Sequence, residues 1–379
     1  MKKLFALLLA LCMVFAMVAC GSTPEPAPSN EPAPSNEPAP SNEPAPAEEK
    51  LPLDGVRFAY IYNGTPTDIF VMAENAARET AEALGATMEY QSTDSDNIKF
   101  QDYAMNFADQ GYDGIFLSHG NKETSYDLVK TLVDDYGMKV VTFDTQFQDE
   151  AGNPVTIEGV TQMFQDDGGM AGLLLDYALQ VMHPEKKTID VLKIWRGPGI
   201  SPFDRRQATY VKYEENGSVN TLEVIAPSDP KNGESSMTEV MAATLPKYPE
   251  GSIDVVWSCY DAYARGAYTA ISEANRTDVK IVSVDISNQD INFMLDESNI
   301  WLACATVDFT TVGQQGMRLL AMKMKGDATE DWYELTPSLV TYDQLNENSN
   351  VLNLGEVVDG YGVNNDHIAD WMAPYIPKK

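Results

Sequence analysis

From Leu51 onward, short apolar runs alternate with longer stretches whose apolar residues recur every three or four positions. The first pattern is that of strands buried on both faces, the second that of amphipathic helices. Val56 to Tyr62 predicts a strand. Asp68 to Leu84 predicts a helix, with Ile69, Met72, Ala76, Ala77, Ala81 and Leu84 at helical spacing and Gly85 ending it. The alternation continues through a strand at Thr87 to Tyr90, a helix capped by Asn97 and running to Ala108, and a strand at Gly114 to Leu117. Then come a helix at Thr124 to Asp135, a strand at Lys139 to Phe143 and an extended Val155 to Val160. Further helices are predicted over Gly168 to Met182, Asp204 to Glu215, Ser236 to Leu245, Ala262 to Ala274, Gln289 to Leu295 and Val312 to Met324. The strands between them are Thr188 to Trp195, Thr221 to Ala226, Asp254 to Ser258, Val279 to Val284 and Leu302 to Val307.

Such alternation predicts an α/β protein with parallel sheets covered on both faces. One sheet of ten or more strands is unusual, so two sheets in two lobes suit this length better. In open parallel sheets ligands sit beyond the carboxyl ends of the strands, at a topological switch point. The polar residues just past each strand are therefore the candidates for chemistry.

The first fifty residues follow a different pattern. Lys2 and Lys3 precede an unbroken apolar run from Leu4 to Met17, too short for a permanent membrane span. Met17-Val18-Ala19-Cys20-Gly21 resembles the bacterial lipobox, with Met where Leu is usual, so residues 1–19 are expected to be a signal peptide and Cys20 to be lipidated. From Ser22 to Glu49 an Asn-Glu-Pro-Ala-Pro-Ser repeat carries nine prolines. It cannot bury a core and is expected to be an extended tether, so residues 20–50 form an anchor and linker.

Composition narrows the function. The chain has 379 residues, with 26 Lys+Arg against 57 Asp+Glu and a net charge of −31. That charge repels phosphate backbones and excludes nucleic-acid binding as the main role. With Cys12 in the leader and Cys20 lipidated, only Cys259 and Cys304 remain for the folded part, both in apolar runs, and are expected to be buried free thiols. Three histidines and two such thiols predict no metal centre, and no cofactor is expected. Gly168-Gly169-Met170-Ala171-Gly172 reads as a tight strand–helix junction rather than a phosphate cradle. Asp94 to Asn97 reads as a helix cap rather than a calcium loop. No metalloprotease helix, nucleophile elbow or P-loop is present, so no catalytic residue is assigned.

The strand ends supply the candidate site: Thr67 and Phe70 after the first strand, Ser118 and His119 after the third, and Asp144 after the next. In the second half the candidates are Gln162, Arg206, Tyr260, Asp285 and Asp308. Arg206 follows Arg205, and the sequence leaves open which points inward. Carboxylates, amides and a guanidinium beside aromatic rings suit a sugar, whose hydroxyls need hydrogen-bond partners and whose C–H faces stack on rings.

At these residues the chain resembles the type I periplasmic solute-binding proteins of the ribose/galactose-binding class over about residues 54 to 340. The stretches that carry the resemblance include Gly111-Tyr112-Asp113-Gly114-Ile115, Val140-Val141-Thr142-Phe143-Asp144, Asp254 to Asp261 with Ala264-Arg265-Gly266-Ala267, and Lys280 to Asp285. The resemblance implies a periplasmic binding protein-like I fold: two Rossmann-like lobes joined by a three-segment hinge near Glu158–Met163, Val307–Phe309 and Leu335–Val340. The lobes would be 51–160 with 308–336, and 161–307 with 337–379. It also implies that a family aromatic pair falls on Ile69 and Phe70, and an aspartate–arginine pair on Asp144 and Thr145. Arg206 stands for a second-lobe arginine, Tyr260 replaces an asparagine, Asp285 matches the aspartate after the next strand, and Asp308 is the hinge polar residue. One ring and one arginine of the family pattern are therefore missing.

The function implied is capture of a small sugar by a non-enzymatic, monomeric receptor outside the cytoplasm, held to the membrane by its N-terminal lipid alone. The captured sugar would go to an ABC permease with its ATPase, both on separate chains. Two alternatives remain open at this point: a sensory subunit for a histidine kinase or chemoreceptor, and a binding protein for a nucleoside or furanosyl signal. The tail from Asn346 to Lys379 is expected to pack on a lobe.

Overall fold

The computed structural model describes residues 50–149, 151–376 and 378; the leader, Cys20 and the proline-rich segment lie outside them. Strands are numbered in chain order. β1 (Arg57–Tyr62), β2 (Thr87–Ser92), β3 (Gly114–Ser118), β4 (Lys139–Phe143), β5 (Thr161–Gln165) and β11 (Trp332–Leu335) form one six-stranded sheet in the order β11-β5-β4-β3-β1-β2. β6 (Ile189–Ile194), β7 (Val219–Ile225), β8 (Val255–Ser258), β9 (Ile281–Val284), β10 (Trp301–Thr306) and β12 (Ser338–Thr341) form the other, in the order β12-β10-β9-β8-β6-β7. The strands run parallel apart from the antiparallel β10–β12 edge. In each sheet the order reverses beside its first strand, so both sheets place a switch point at their carboxyl ends.

Period-two packing explains the first sheet. Phe58, Tyr60 and Tyr62 of β1 face one core with Phe116, Val141 and Phe143, under α1 (Asp68–Ala83) and α9 (Phe309–Lys325). Ala59 and Ile61 face the opposite core with Ile115, Leu117 and Val140, under α2 (Asn97–Asp109) and α3 (Ser125–Asp134). Asp96, one residue before the expected cap, accepts from the amides of Ile98 and Lys99 to start α2. The second sheet is covered by α4 (Asp167–Tyr177), α5 (Ser201–Glu215), α6 (Gly233–Thr244), α7 (Asp261–Glu273) and α8 (Asn288–Met294) around its own core. Cys259 and Cys304 are free and buried there, as the apolar runs predict.

The expected strand at Val155 to Val160 is displaced. Gly159 adopts φ 79° in a turn that tucks Ile157 and Val160 into the core, and the ladder begins at Thr161 instead. Glutamines at positions 162 and 165 disguise that strand, yet Gln162 is paired inside the lobe: it accepts from Phe147 N at 3.0 Å and donates to Val155 O at 3.0 Å. β5 therefore completes the first sheet rather than opening the second lobe, and the first crossing falls at Asp166. Two more crossings lie at Val307–Asp308 and Thr336–Pro337, between strands or helices of different sheets.

The tail adds a fourth crossing. Val351, Leu354, Val358 and Tyr361 are buried in the second-lobe core, with α10 (Leu354–Val357) among them, whereas Ile368, Met372 and Ile376 are buried in the first. It is pinned to α9: Gln315 donates to Asn364 Oδ1 at 2.5 Å, Arg318 donates to Asn364 O at 3.0 Å, and His367 Nδ1 lies 2.8 Å from Gln315 Oε1. No described helix is long and apolar enough to cross a membrane.

α1 and α9 touch backbone to backbone, because Ala73 and Ala77 face Gly313. A Cβ at position 313 would lie 2.0 Å from the Ala73 carbonyl oxygen. Gly313→Ala is therefore expected to destabilise the protein by about 1–3 kcal/mol through forced separation of the two helices, read as a lowered midpoint in thermal unfolding. An unchanged midpoint would show that this contact yields freely.

Candidate ligand-binding site

The carboxyl ends of β3, β4 and β9 finish in the same unusual way. His119, Asp144 and Asp285 are each the first residue past the strand, with φ of 60°, 49° and 69°. A left-handed backbone costs an L-residue roughly 1–2 kcal/mol, and strain of this kind gathers at functional sites. Asp and His tolerate it better than β-branched residues, which is one reason these residue types end these strands. Both sheets thus present a strained acidic residue at the mouth.

Guanidinium groups join those carboxylates across the lobes. Arg205 and Arg206, in the first turns of α5 on the second lobe, share Asp167 at the start of α4. Arg205 Nε donates to Asp167 Oδ2 at 2.8 Å, and Arg206 Nε to Asp167 Oδ1 at 2.7 Å. Arg205 Nη2 reaches over to Asp144 Oδ1 of the first lobe at 3.1 Å. Arg206 Nη1 donates to the Cys259 carbonyl at 2.6 Å and lies 3.5 Å from Asp285 Oδ2. Gln165, at the true end of β5, donates to Asp144 Oδ2 at 2.9 Å, and its Oε1 is buried without a partner among the described residues. Two further contacts span the lobes: Ser201 Oγ to Gln146 Oε1 at 3.3 Å, and Asn288 Nδ2 to Asp68 Oδ2 at 3.1 Å.

An aromatic wall stands on the first-lobe side. Tyr62 stacks on Phe70 with centroids 3.8 Å apart, His119 meets both edge-on at 5.4 Å, and Phe309 lies 5.2 Å from Phe70. Opposite them Tyr260, 37% exposed, opens α7 beside Phe203 at 5.9 Å. Arg265 binds Asp261 at 2.7 Å, Asp290 at 3.0 Å and Glu234 at 2.9 Å, tying α7, α8 and α6 together behind this face.

Burial governs protonation here. It pushes the Asp167 carboxyl up to about 6 despite the pull of Arg206 and Arg205. Burial likewise raises Asp285, with Arg206 opposing it. Burial lowers His119, Asp144 opposing, so the ring is neutral at pH 7 although its Nε2 lies 3.8 Å from Asp144 Oδ2. Among the described residues no group of three or more His, Cys, Asp or Glu is placed to hold a metal ion.

Of the expected residues, Phe70, His119, Asp144, Arg206, Tyr260 and Asp285 lie around the carboxyl ends of the strands of the two sheets, with Phe70 against His119, His119 near Asp144, and Arg206 near Asp285. Ser118 sits behind His119, its Oγ 2.7 Å from His119 Nδ1, and Thr67 is an exposed residue at the start of α1. Gln162 does not reach the cleft, because it is consumed inside the first lobe. Asp308 caps α9 through Thr310 N at 2.8 Å and faces a hinge recess with Asn364 and Asp366. Asp167, Gln165, Tyr62 and Phe309 are the residues that strand-end reading missed. The shift of β5 by several residues hid Gln165 and Asp167. The Arg205-Arg206 pair resolves into two inward residues rather than one.

The chain matches the periplasmic binding protein domain over residues 58–329 and belongs to that family. Its two-sheet architecture is the type I form of the fold, ribose/galactose class. No curated protein matches it. Among solved structures it is similar to a sugar ABC transporter protein from Yersinia enterocolitica subsp. enterocolitica 8081, with 29% identity and a TM-score of 0.70, covering 84% of this chain and 94% of that one. It is also similar in fold to a 5-methylthioribose transporter solute-binding protein from Thermotoga lettingae TMO, with 22% identity, a TM-score of 0.71 and coverage of 86% and 99%. A third likeness is to an ABC transporter solute-binding protein from Agrobacterium vitis with bound allitol, with 19% identity, a TM-score of 0.65 and coverage of 80% and 99%.

Two outcomes follow from the strain and the burial. At Asp285, Gly is expected to be more stable than Ala by about 1 kcal/mol, because only Gly relieves the left-handed backbone; equal midpoints in chemical denaturation would refute the strain. Burial holds the folded Asp167 carboxyl at about 6 against an ordinary value of 3.8, so its stabilising contribution is full below pH 3.8 and lost as pH rises through 6. Asp167→Asn should therefore gain on the wild type by about 3 kcal/mol between pH 4 and 7. A gap that stays constant with pH would contradict the assignment.

Proposed function

We propose that the protein is a lipid-anchored solute-binding receptor outside the cytoplasm, tethered through Cys20, that captures a small neutral sugar between its lobes. In this reading it hands the sugar to an ABC permease whose ATPase is on a separate chain, and it has no catalytic step. The observation that carries the reading is the charge arrangement of the cleft. Arg205 and Arg206 are both taken up by Asp144, Asp167 and Asp285, so neither guanidinium is left for an anionic ligand. The carboxylates, Gln165 Oε1 and the His119 ring supply acceptors for hydroxyl donors. The Tyr62–Phe70–Phe309 wall supplies faces on which a sugar ring stacks. The Yersinia protein, named a sugar ABC transporter, and the fold relatives with methylthioribose and allitol favour the same class of ligand. Hinge motion about the crossings would enclose the sugar and remove water, making each hydrogen bond costly to lose.

A thermal-shift panel of neutral monosaccharides, their 5-thio derivatives, alditols, sugar phosphates and sugar acids tests this. At least one neutral member is expected to stabilise the chain by about 2.7 kcal/mol at a hundred times its dissociation constant. In calorimetry Asp144→Ala is then expected to weaken that member at least about tenfold, since a charge-assisted hydrogen bond is lost. Stabilisation only by the phosphates or acids would overturn the neutral-ligand assignment, and full affinity in Asp144→Ala would remove Asp144 from the site.

A further inference from the structure

At the rim between the lobes, one hydrogen bond belongs to neither the ion-pair chain nor the aromatic wall. Asn288 is the first residue of α8, and its side chain faces two ways. Its Oδ1 accepts from the Val351 amide of the C-terminal tail at 2.9 Å, and its Nδ2 donates to Asp68 Oδ2 of the opposite lobe at 3.1 Å. We infer that Asn288 is a closure latch whose orientation is set by the C-terminal tail. The inference rests on the hinge closure that the binding-protein reading requires.

The amide cannot face both neighbours in either sense. Val351 N–H is a donor only, so it holds the carbonyl end of Asn288, and the NH2 end is thereby presented to the Asp68 carboxylate. Both anchors are rigid. Val351 is buried, 3% exposed, in the second-lobe core. The backbone before Asn288 is fixed by a capping box in which Ser287 Oγ accepts from Asp290 N and Asp290 Oδ2 accepts from Ser287 N. Arg265 holds Asp290 in turn at 3.0 Å. Across the cleft Asp68 opens α1, the helix whose first turn carries Phe70. The latch therefore couples three things: the tail, the second-lobe rim, and the helix that bears the aromatic wall. Neither Asn288 nor Asp68 contacts the ion-pair chain, so the pair acts on closure as positioning residues.

The test is hydrogen exchange by mass spectrometry on the full chain, first without sugar and then with the most stabilising neutral member of the panel. Asn288→Asp keeps an acceptor for Val351 but turns a carboxylate towards Asp68. Exchange is expected to rise about tenfold at 68–71 and 288–291, and also at 144–148 and 201–206, which neither residue touches. Adding Asp68→Asn restores a donor opposite the new carboxylate and is expected to return all four segments to wild-type rates, while Asp68→Asn alone stays near them. Rates that do not change in Asn288→Asp, change only at 68–71 and 288–291, or are not rescued in the double variant overturn the latch. Because the first comparison contains no sugar, a silent panel and a silent latch are separate results.

Discussion

The structure depends on one chain of buried charge: Asp144 to Arg205, Arg205 to Asp167, Asp167 to Arg206, and Arg206 to Asp285. It begins on the first lobe, crosses to the second and ends on a strand of the second sheet. Removing a single partner from such a set leaves an uncompensated buried charge, which is far more costly than never having had the pair. The number of carboxylates exceeds the number of guanidiniums, and burial raises Asp167 and Asp285 despite their arginine partners. The cleft is thus rich in acceptors, with its positive charge already spoken for. That balance is the physical basis for the proposal that its ligand is neutral and hydroxylated.

Everything else positions that chain. Two sheets of matching strand order bring their carboxyl ends to one mouth, and the residues there accept left-handed backbone to aim polar groups inward. Behind the mouth, Arg265 locks three helices of the second lobe, and the small-residue contact of Gly313 with Ala73 brings α9 against α1. Phe309 at the start of α9 and Phe70 in the first turn of α1 meet because those helices are close. A packing feature far from the polar site therefore determines the spacing of the aromatic wall.

The tail changes the mechanical picture of the hinge. Three crossings join strands and helices of the sheets, while the fourth is a strap that buries apolar residues in both cores and hydrogen bonds along α9. Through Val351 this strap also reaches the rim between the lobes.

Residue pattern alone determined the alternating elements, the pairing of parallel strands with covering helices, and the place to look for chemistry. Continuous apolar runs and helical spacing are local consequences of burial and carry through to the fold. Asp144 and Asp285 stand where the pattern places them because each directly follows such a run, whereas Tyr260 lies two residues past one and Phe70 lies in the helix after the first strand. β5 was not, since its glutamines look like loop residues until Phe147 and Val155 supply partners from elsewhere in the chain. For the same reason Gln165 and Asp167 emerged only in three dimensions, and only there did Arg205 and Arg206 both turn inward: which oxygen each nitrogen meets across the lobes is a separation that sequence does not encode. Asp308 lies at an expected crossing, where it also caps α9 by accepting from Thr310 N, a local role that its sequence position does not reveal. The path of the tail itself was decided by tertiary packing, where two cores each offered a place for its scattered apolar residues.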